Sequence, residues 1–473
     1  MPGRPRVVAG ATIDGFTIGA QIHAGGMATL WEATHPDHPG RPLLMKVPRL
    51  REGEDPAAIV GFEMEQMILP RLSGPHVPRF VAAAGFERQP YLVMERILGT
   101  SLAARLPSLP LAAEEVAAIG ARVAEALDSL HRQAVVHLDV KPSNILFRRG
   151  TGEAVLVDFG LARHRLLPDL LEEEFRLPYG SAPYMAPEQA MGVRGEPRSD
   201  LFALGAVLYQ LKTGMLPFGE PQGLKAVRRR IWRDPLPPRA LRPTCPPWLQ
   251  EIILRCLEVD PARRHPTAAQ LAFDLRHPDQ VALSPRAEKR GRDGWTAVLR
   301  RRFDPKARPV FRRPAEEADA VHAPIVAVAV DVAEQSAAMA QVLRAGLGPI
   351  MASLPGARVA CINVLDLRRA APEEGENRHV QRLVALRHWA APLGLPEGRI
   401  TYHVLEAADP AQALIEYATA NRVDHIVMGA RADSLRRRLL GSVSAGVAAH
   451  APCTVTVVRP RGVNAGGAEP GRA

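Results

Sequence analysis

An α+β domain followed by a parallel-sheet α/β domain is the architecture the sequence predicts, and three observations predict it. At 473 residues the chain exceeds what one ordinary core organises, so two domains are the default. Residues to about 276 read as mixed strands and then helices. Residues 322–460 alternate short Val/Ile-rich runs with longer amphipathic stretches, the pattern of parallel strands joined by crossover helices. Between these zones, 277–321 is rich in Arg, Pro and Asp with little apolar periodicity and reads as a basic linker. The stretch 461–473 reads as a disordered tail.

Hydrophobic residues make up 47% of the chain and charged residues 23%, which predicts packed domains. Basic residues outnumber acids by 60 to 50, but the excess is local. From Pro285 to Arg313 eleven basic residues face three acids, so the remainder is near neutral and no nucleic-acid-binding face is implied. Only six of the basic residues are lysines, which makes each lysine informative and, with abundant Ala and Pro, suggests a high-GC bacterial coding sequence. The four cysteines have neither metal-ligand spacing nor the look of a disulfide framework. There is no long apolar run and no signal-peptide core at the N-terminus, so a cytoplasmic location is expected.

Taken in order, the first chemical element is Ile22 to Leu30, where Gly25-Gly26 forms a turn between two strands whose backbone amides can approach a triphosphate. Such turns are also common in plain hairpins. Next, Leu43 to Val47 is an apolar strand carrying Lys46, and a charge in a buried strand needs an anionic partner. The following helical stretch offers Glu63 and Glu65. Glu65 is preferred, because the Phe62/Glu65/Leu69 spacing sets it beside the buried face. Val136 to Leu146 then packs His137, Asp139, Lys141 and Asn144 between apolar runs. Asp139 can accept a hydroxyl proton, Lys141 can neutralise a transferring phosphate, and Asn144 can hold a metal ion. Asp158, flanked by Val155-Leu156-Val157 and Phe159, is a second carboxylate suited to Mg²⁺.

Together these segments resemble the Hanks-type protein kinase family. The resemblance implies a bilobal kinase domain over 1–276, with an N-lobe of about 13–95 and a C-lobe of about 96–276. It makes Asp139, Lys141, Lys46 and Glu65 the catalytic set, and Asn144 and Asp158 the holders of Mg²⁺ or Mn²⁺. It assigns ATP contacts to Ile22, Gly25, Gly26, Leu30, Lys46, Met94, Glu95, Asn144 and Asp158, with Met94 as gatekeeper. Ala186-Pro187-Glu188 resembles the close of the activation segment, Arg264 the partner of Glu188, and Ser199 to Gly205 the helix anchoring the catalytic loop. Lys141 two residues past Asp139 is the serine/threonine pattern, and Tyr184 to Glu188 resembles the bacterial branch. The implied activity is non-specific serine/threonine protein kinase, with ATP as donor and protein hydroxyls as acceptors. The alternative is a pseudokinase or nucleotide-sensing scaffold whose C-terminal domain is the working module.

There are departures from that pattern. His23 and Ala28 stand at two positions of the Gly-rich loop, and Ala182 follows Ser181 where proline is usual. Leu138 replaces the arginine before the catalytic aspartate. In many kinases that arginine grips a phosphate on the activation segment. From Leu161 to Tyr179 there is no Ser or Thr, while Glu172, Glu173 and Glu174 supply negative charge that Arg163, Arg165 or Arg176 can pair with. Activity is therefore expected not to depend on activation-loop phosphorylation, with Ser181 structural.

Gly294 to Phe303 fits a helix with Trp295, Leu299 and Phe303 on one face. The expectation is a linker that docks on a domain, and contact with an anionic membrane or an acidic partner is the alternative. In the third zone, the strand ending at Asp331, the strand ending at Gly429 and the Gly441-Ser442 helix start resemble the universal stress protein family. That resemblance implies a second ATP or AMP held by Asp331, Gly429, Gly441 and Ser442, a homodimer paired through the last strand, Thr454 to Val458, and a role in stress signalling. Ala432 stands where the second loop glycine belongs, and its Cβ opposes close backbone approach.

Overall fold

The structure is a computed structural model that describes residues 7–25, 27–50, 55–175, 178–304, 311, 324–333, 336–368, 377–396, 398–430 and 441–460. One unit takes Met1–Leu50 with Glu54–Ala320, and a second takes Val321–Ala473. Gly26, Arg176, Ala432, most of 305–321 and the tail 461–473 lie outside the described residues.

The first unit opens with an antiparallel sheet. Its strands are β1 (Thr12–Ile13), β2 (Phe16–Ala24), β3 (Ala28–Thr34), β4 (Leu43–Pro48), β5 (Phe80–Ala84) and β6 (Tyr91–Glu95), in the order β1-β2-β3-β4-β6-β5. Alternation along β4 sends Leu43, Met45 and Val47 into an apolar cluster with Ile18, Tyr91 and Val93, which turns Lys46 to the opposite face. Helix α1 (Pro56–Ile68) starts where Asp55 accepts the Ala57 N–H at 2.9 Å and Pro56 occupies the first turn.

The second lobe is mostly helical. Helix α2 (Ala113–Arg132) buries Val116, Ala117, Gly120, Val123, Ala124 and Leu127 on one stripe. Helix α4 (Arg198–Thr213) is almost entirely buried, with an apolar run from Leu201 to Tyr209 and the polar Ser199 and Asp200 buried at its start, which makes it the central strut. Two short antiparallel ladders hold the polar loops. β7 (Gly99–Ser101), β9 (Ile145–Arg148) and β10 (Ala154–Leu156) form one, and β8 (Val135–Val136) with β11 (Arg163–His164) forms the other. Residues 137–144 therefore lie between β8 and β9, and Asp158 lies between β10 and β11, so the two loops leave neighbouring ladders side by side. The lobe continues through α3 (Leu170–Glu174), α5 (Leu224–Val227), α6 (Pro238–Leu241), α7 (Pro247–Cys256) and α8 (Ala268–Arg276) to α9 (Pro285–Glu288) and α10 (Trp295–Phe303). The helix expected over Gly294 to Phe303 forms, and its Trp295, Leu299 and Phe303 are exposed.

The second unit is a parallel sheet of five strands among the described residues, in the order β14-β13-β12-β15-β16. These are β12 (Ile325–Ala329), β13 (Arg358–Asp366), β14 (Ile400–Ala407), β15 (His425–Gly429) and β16 (Thr454–Val458), interleaved with α11 (Ala337–Ser353), α12 (Arg378–Ala390), α13 (Pro410–Ala420) and α14 (Ser442–His450). Ile325, Ala327, Ile362 and Ile426 pack with Leu414, Tyr417 and Val447 on the α13/α14 face. Asp409 caps α13 by accepting from Ala411 and Gln412, ahead of Pro410. The order in which successive strands are added reverses between β12 and β15, the position where open α/β sheets bind ligands. The fold class read from the sequence holds for both units.

Candidate active site

Three carboxylates and two lysines converge in the first unit. Lys46 Nζ lies 2.5 Å from Glu65 Oε2 and 2.9 Å from Asp158 Oδ1. The partner is Glu65, as the helix spacing predicts. Its other oxygen accepts the Phe159 N–H at 3.2 Å, so one buried carboxylate positions both the strand lysine and the Asp158 turn. Burial alone would lower the Lys46 ammonium, but Asp158 and Glu65 override it and hold it above its ordinary value. Lys46 pulls Asp158 down to about 2 against the opposing effect of burial, so its carboxylate stays ionised. Asp158 has a φ of 69° and a side chain 46% exposed, which aims charge into open space.

The second cluster sits on the loop between β8 and β9. Asp139 Oδ2 lies 2.7 Å from Lys141 Nζ and accepts from Asn144 Nδ2 at 3.0 Å. Its Oδ1 accepts the Ser181 N–H at 3.0 Å, and Lys141 donates to Ser181 Oγ at 3.0 Å. Asn144 thus turns its amide nitrogen toward Asp139, where it also meets the main-chain carbonyl at 3.1 Å. Its oxygen is left with only the Ser143 hydroxyl, 3.3 Å away. The loop hangs from α4: the buried Asp200 carboxylate accepts the His137 and Leu138 N–H groups at 2.9 and 2.8 Å and contacts His131 at 2.8 Å. His137 Nδ1 accepts the Asp139 N–H, which leaves Nε2 to donate to Val157 O at 3.1 Å, tying this loop to the Asp158 strand.

These donors suit a hard cation. Asn144 Oδ1 and the Asp158 carboxylate are oxygen ligands. Among the described residues no group of three or more His, Cys, Asp or Glu side chains forms a metal cage. Two protein oxygens with the rest left to phosphate and water is the manner in which Mg²⁺ is held.

The proposed nucleotide contacts line up less uniformly. Leu30 stands opposite Lys46 across the β3/β4 ladder. Gly25 closes its turn by donating to Ala28 O at 3.0 Å, with the His23 ring packed close to it. Ile22 is exposed and Met94 is buried at the end of β6. The Glu95 carboxylate is engaged by Arg148, so any contact it makes to a base runs through its main chain.

The protein kinase domain model matches residues 16–274. The chain belongs to the protein kinase family. The universal stress protein family model matches residues 305–459. A probable serine/threonine-protein kinase of Corynebacterium efficiens is 32% identical over 280 residues, 57% of this chain and 42% of that protein. Serine/threonine-protein kinase Pkn1 of Myxococcus xanthus is 32% identical over 302 residues, 62% of this chain and 42% of that one. The chain thus spans less than half the length of these curated relatives. The Mycobacterium tuberculosis PknI kinase domain aligns with a TM-score of 0.44 at 24% identity, covering 58% of this chain and all of that one.

Within the kinase domain, Arg264 grips Glu188 through two bonds of 2.6 and 2.8 Å, with both side chains almost wholly buried and Ser199 donating to the same carboxylate at 2.6 Å. Other working residues carry little sequence signal. Gly61 in α1 and Gly160 approach so closely that a Cβ on Gly61 would lie 3.1 Å from the Gly160 carbonyl. A glycine inside a helix was the available hint. Gln189 donates to Leu138 O at 2.9 Å and accepts the Ala186 N–H at 3.0 Å, bridging the catalytic loop to the end of the activation segment. Asp169 pairs with Arg194 at 2.7 Å, and Arg163 lies 3.9 Å from the same carboxylate.

In the second unit, Asp331 follows β12 and Gly429 ends the adjacent β15, so both lie at the carboxyl edge beside the reversal point. Gly441 precedes α14 and Ser442 begins it. Gly429 has a packing reason of its own: a Cβ there would lie 2.7 Å from Met339 Sδ of α11.

Proposed function

We propose that the chain is an ATP-dependent serine/threonine protein kinase of the cytoplasm whose activity does not require activation-loop phosphorylation. The observation that carries the reading is the meeting of Lys46, Glu65 and Asp158 in one cluster beside Asp139, Lys141, Asn144 and Ser181 in another. Asp139, held by Asn144 and the Ser181 amide, orients the substrate hydroxyl and takes its proton. Lys141 steadies the phosphate in flight, and Lys46, fixed by Glu65, positions the donor phosphates. Asn144 and Asp158 would hold Mg²⁺ or Mn²⁺, which when bound neutralises charge on the phosphate oxygens.

Independence from loop phosphorylation rests on Leu138. It is 3% exposed, offers no side-chain donor, and has both backbone groups committed, to Asp200 and Gln189. The buried Asp169–Arg194 pair gives the activation segment an anchor that needs no phosphate, since Arg194 also donates to Leu161 O at 2.9 Å. The test is to treat purified kinase with phosphatase, remove the phosphatase, and follow the first turnovers on a peptide substrate. A linear start supports the reading. A long lag that shortens as sites within 161–188 become phosphorylated overturns it.

The C-terminal domain is proposed to supply the control that the loop lacks, in stress signalling, by binding a nucleotide at Asp331, Gly429, Gly441 and Ser442 and by pairing two copies. β16 lies at the sheet edge with its far side unpaired among the described residues, which supports pairing there. Sedimentation of the full chain at tens of micromolar should show a dimer, and truncation at about residue 320 a monomer. A full-length monomer would remove the proposal.

A further inference from the structure

The basic segment after α8 is part of the first unit and builds one wall of a groove. Gln250 of α7 donates to the carbonyls of Arg286, Ala287 and Lys289 at 2.8, 3.1 and 2.9 Å, and Glu251 receives Ser284 and Arg286. Arg301 of α10 meets Asp234 at 2.7 Å and also pairs with Asp293, while Lys289 bridges the same two acids at 3.2 and 2.6 Å. α10 is thereby clamped beside residues 225–234, and a cavity of about 850 Å³ opens between them.

The walls have a marked chemistry. Lys225, Arg229, Arg233, Arg292 and Arg302 line the cavity, are exposed, and have no carboxylate at ion-pair distance among the described residues. The two acids on the wall, Asp234 and Asp293, are neutralised by Lys289 and Arg301. Trp232 contributes from one wall and Trp295, 74% exposed, from the other, with Val298 and Leu299 beside it. Arg302 lies over the Trp232 ring at 5.9 Å and the Phe303 ring at 5.2 Å. A concave site with four further cations that no carboxylate answers, and with the exposed Trp295 indole, fits an anionic chain segment that also carries an apolar side chain.

The position of the groove says what such a segment would belong to. Arg230, one residue from Arg229, is 2% exposed and donates to the carbonyls of Ala182, at 2.8 Å, and Met185. Arg228 donates to Ala190 O at 3.0 Å. Ala182 follows Ser181, whose amide and hydroxyl touch Asp139 and Lys141. The wall of the groove and the loop beside the catalytic aspartate are therefore joined by bonds through a single turn. We propose that the groove docks an acidic segment of the protein substrate, bearing an aromatic or aliphatic residue, remote from the phosphoacceptor. This rests on the kinase reading and narrows its substrate class.

The probe is a fluorescein-labelled octapeptide of six glutamates, one leucine and one phenylalanine, titrated into the full chain and followed by anisotropy. Saturable binding is expected, weakened about tenfold or more in R229E/R233E and in W295A. A peptide substrate extended by the same octapeptide should have a KM about tenfold below that of the unextended peptide. R229E/R233E should erase that difference while leaving kcat and the unextended KM unchanged. Equal KM for both substrates in the wild type overturns the proposal. So does unchanged octapeptide binding in R229E/R233E. Loss in that variant of binding to phosphatidylserine vesicles or single-stranded RNA, with no octapeptide binding in the wild type, reassigns the groove and also overturns it. Octapeptide binding in a chain that transfers no phosphate would separate the two failures: the groove stands as an acidic-peptide site, and its role in substrate choice falls with the kinase reading.

Discussion

The kinase cleft is built from ionised side chains that answer one another, whereas the carboxyl edge of the C-terminal sheet offers two glycines, a serine and one half-buried aspartate. In the cleft each charge constrains the next. Lys46 requires Glu65 and Asp158, Asp139 requires Lys141 and Asn144, and the buried Asp200 carboxylate requires the two amides that aim the catalytic loop. At the sheet edge Gly429 already has a structural use in the approach of Met339, and Asp331 accepts the Ala333 N–H at 3.2 Å. A site made of mutually dependent charges testifies to itself. A site made of small residues needs its ligand to speak for it.

The most direct way to break that contrast is to remove one charge from the cleft. Asp139→Asn keeps the shape and the hydrogen bond to Ser181 but gives up the base. It should lower kcat by about 100-fold or more with nucleotide affinity little changed, and lower the melting temperature modestly, because the new amide nitrogen faces the Lys141 and Asn144 donors. Full turnover by this variant would mean that the cleft's charges are structural, and the comparison would lose its stronger half.

How much was legible follows the same division. Lys46 with Glu65 could be paired from the sequence, because burying an ion costs several kcal/mol unless it is answered. Glu188 with Arg264 came only from the family resemblance, and the contacts of Asp139 with Lys141 and Asn144 emerged only from the structure. Asp409 with Pro410 gave the start of α13 for a local reason of the same firmness. Residues whose partner is a backbone group left no trace. Arg230 sits in a run of three arginines that look alike in sequence, yet it alone is buried against two carbonyls. Gln189 is an ordinary glutamine until Leu138 O and Ala186 N are placed around it. The basic stretch read as a linker was legible in its helix and in the apolar residues that share one face, but not in the exposure of that face. The clamp was not legible: Asp234 lies 67 residues from Arg301 and 55 from Lys289, and nothing local marks it as the acid that ties Arg301 and Lys289 to the domain.

A smaller effect is expected on the weaker side of the comparison. Gly429→Ala drives a methyl into Met339 Sδ, and because a methionine can move, the cost should be about 1–3 kcal/mol. Met339→Ala in the same chain should recover part of that loss, giving a measurable coupling between the two positions. If Gly429 serves a phosphate instead, Gly429→Ala in a Lys46→Met background will weaken residual ATP binding and leave stability unchanged. Thermal melts on the wild type, the two single variants and the double variant, and titration calorimetry on Lys46→Met with and without Gly429→Ala, distinguish the outcomes, and the second result would raise the sheet edge to the standing of the cleft.

The smallest expected effect sharpens the contrast from outside both sites. The cleft keeps buried groups charged by pairing them, but His265 is a buried titratable group, 0% exposed, that burial holds below its ordinary value of 6.5 despite Asp274 at 3.3 Å. Its ring also contacts Cys256 Sγ at 3.5 Å, so the neutral imidazole is packed on one side by a thiol and on the other by a single carboxylate. The sign follows directly. Below pH 6.5 the unfolded chain binds a proton that the folded kinase domain refuses until lower pH, so stability is full above 6.5 and declines as pH falls toward the folded value. His425 in the C-terminal domain is shifted the same way by burial, but it is only half-buried and bonds Thr456 Oγ1 at 2.8 Å, so its contribution is the lesser one. Melting temperature followed between about pH 7.5 and 5.5 should fall by a few degrees in the wild type and more shallowly in His265→Leu, whatever the starting stability of that variant. Parallel slopes for the two proteins would show that His265 takes up its proton as readily folded as unfolded, and that burial in this lobe does not exclude charge as the cleft's paired architecture implies.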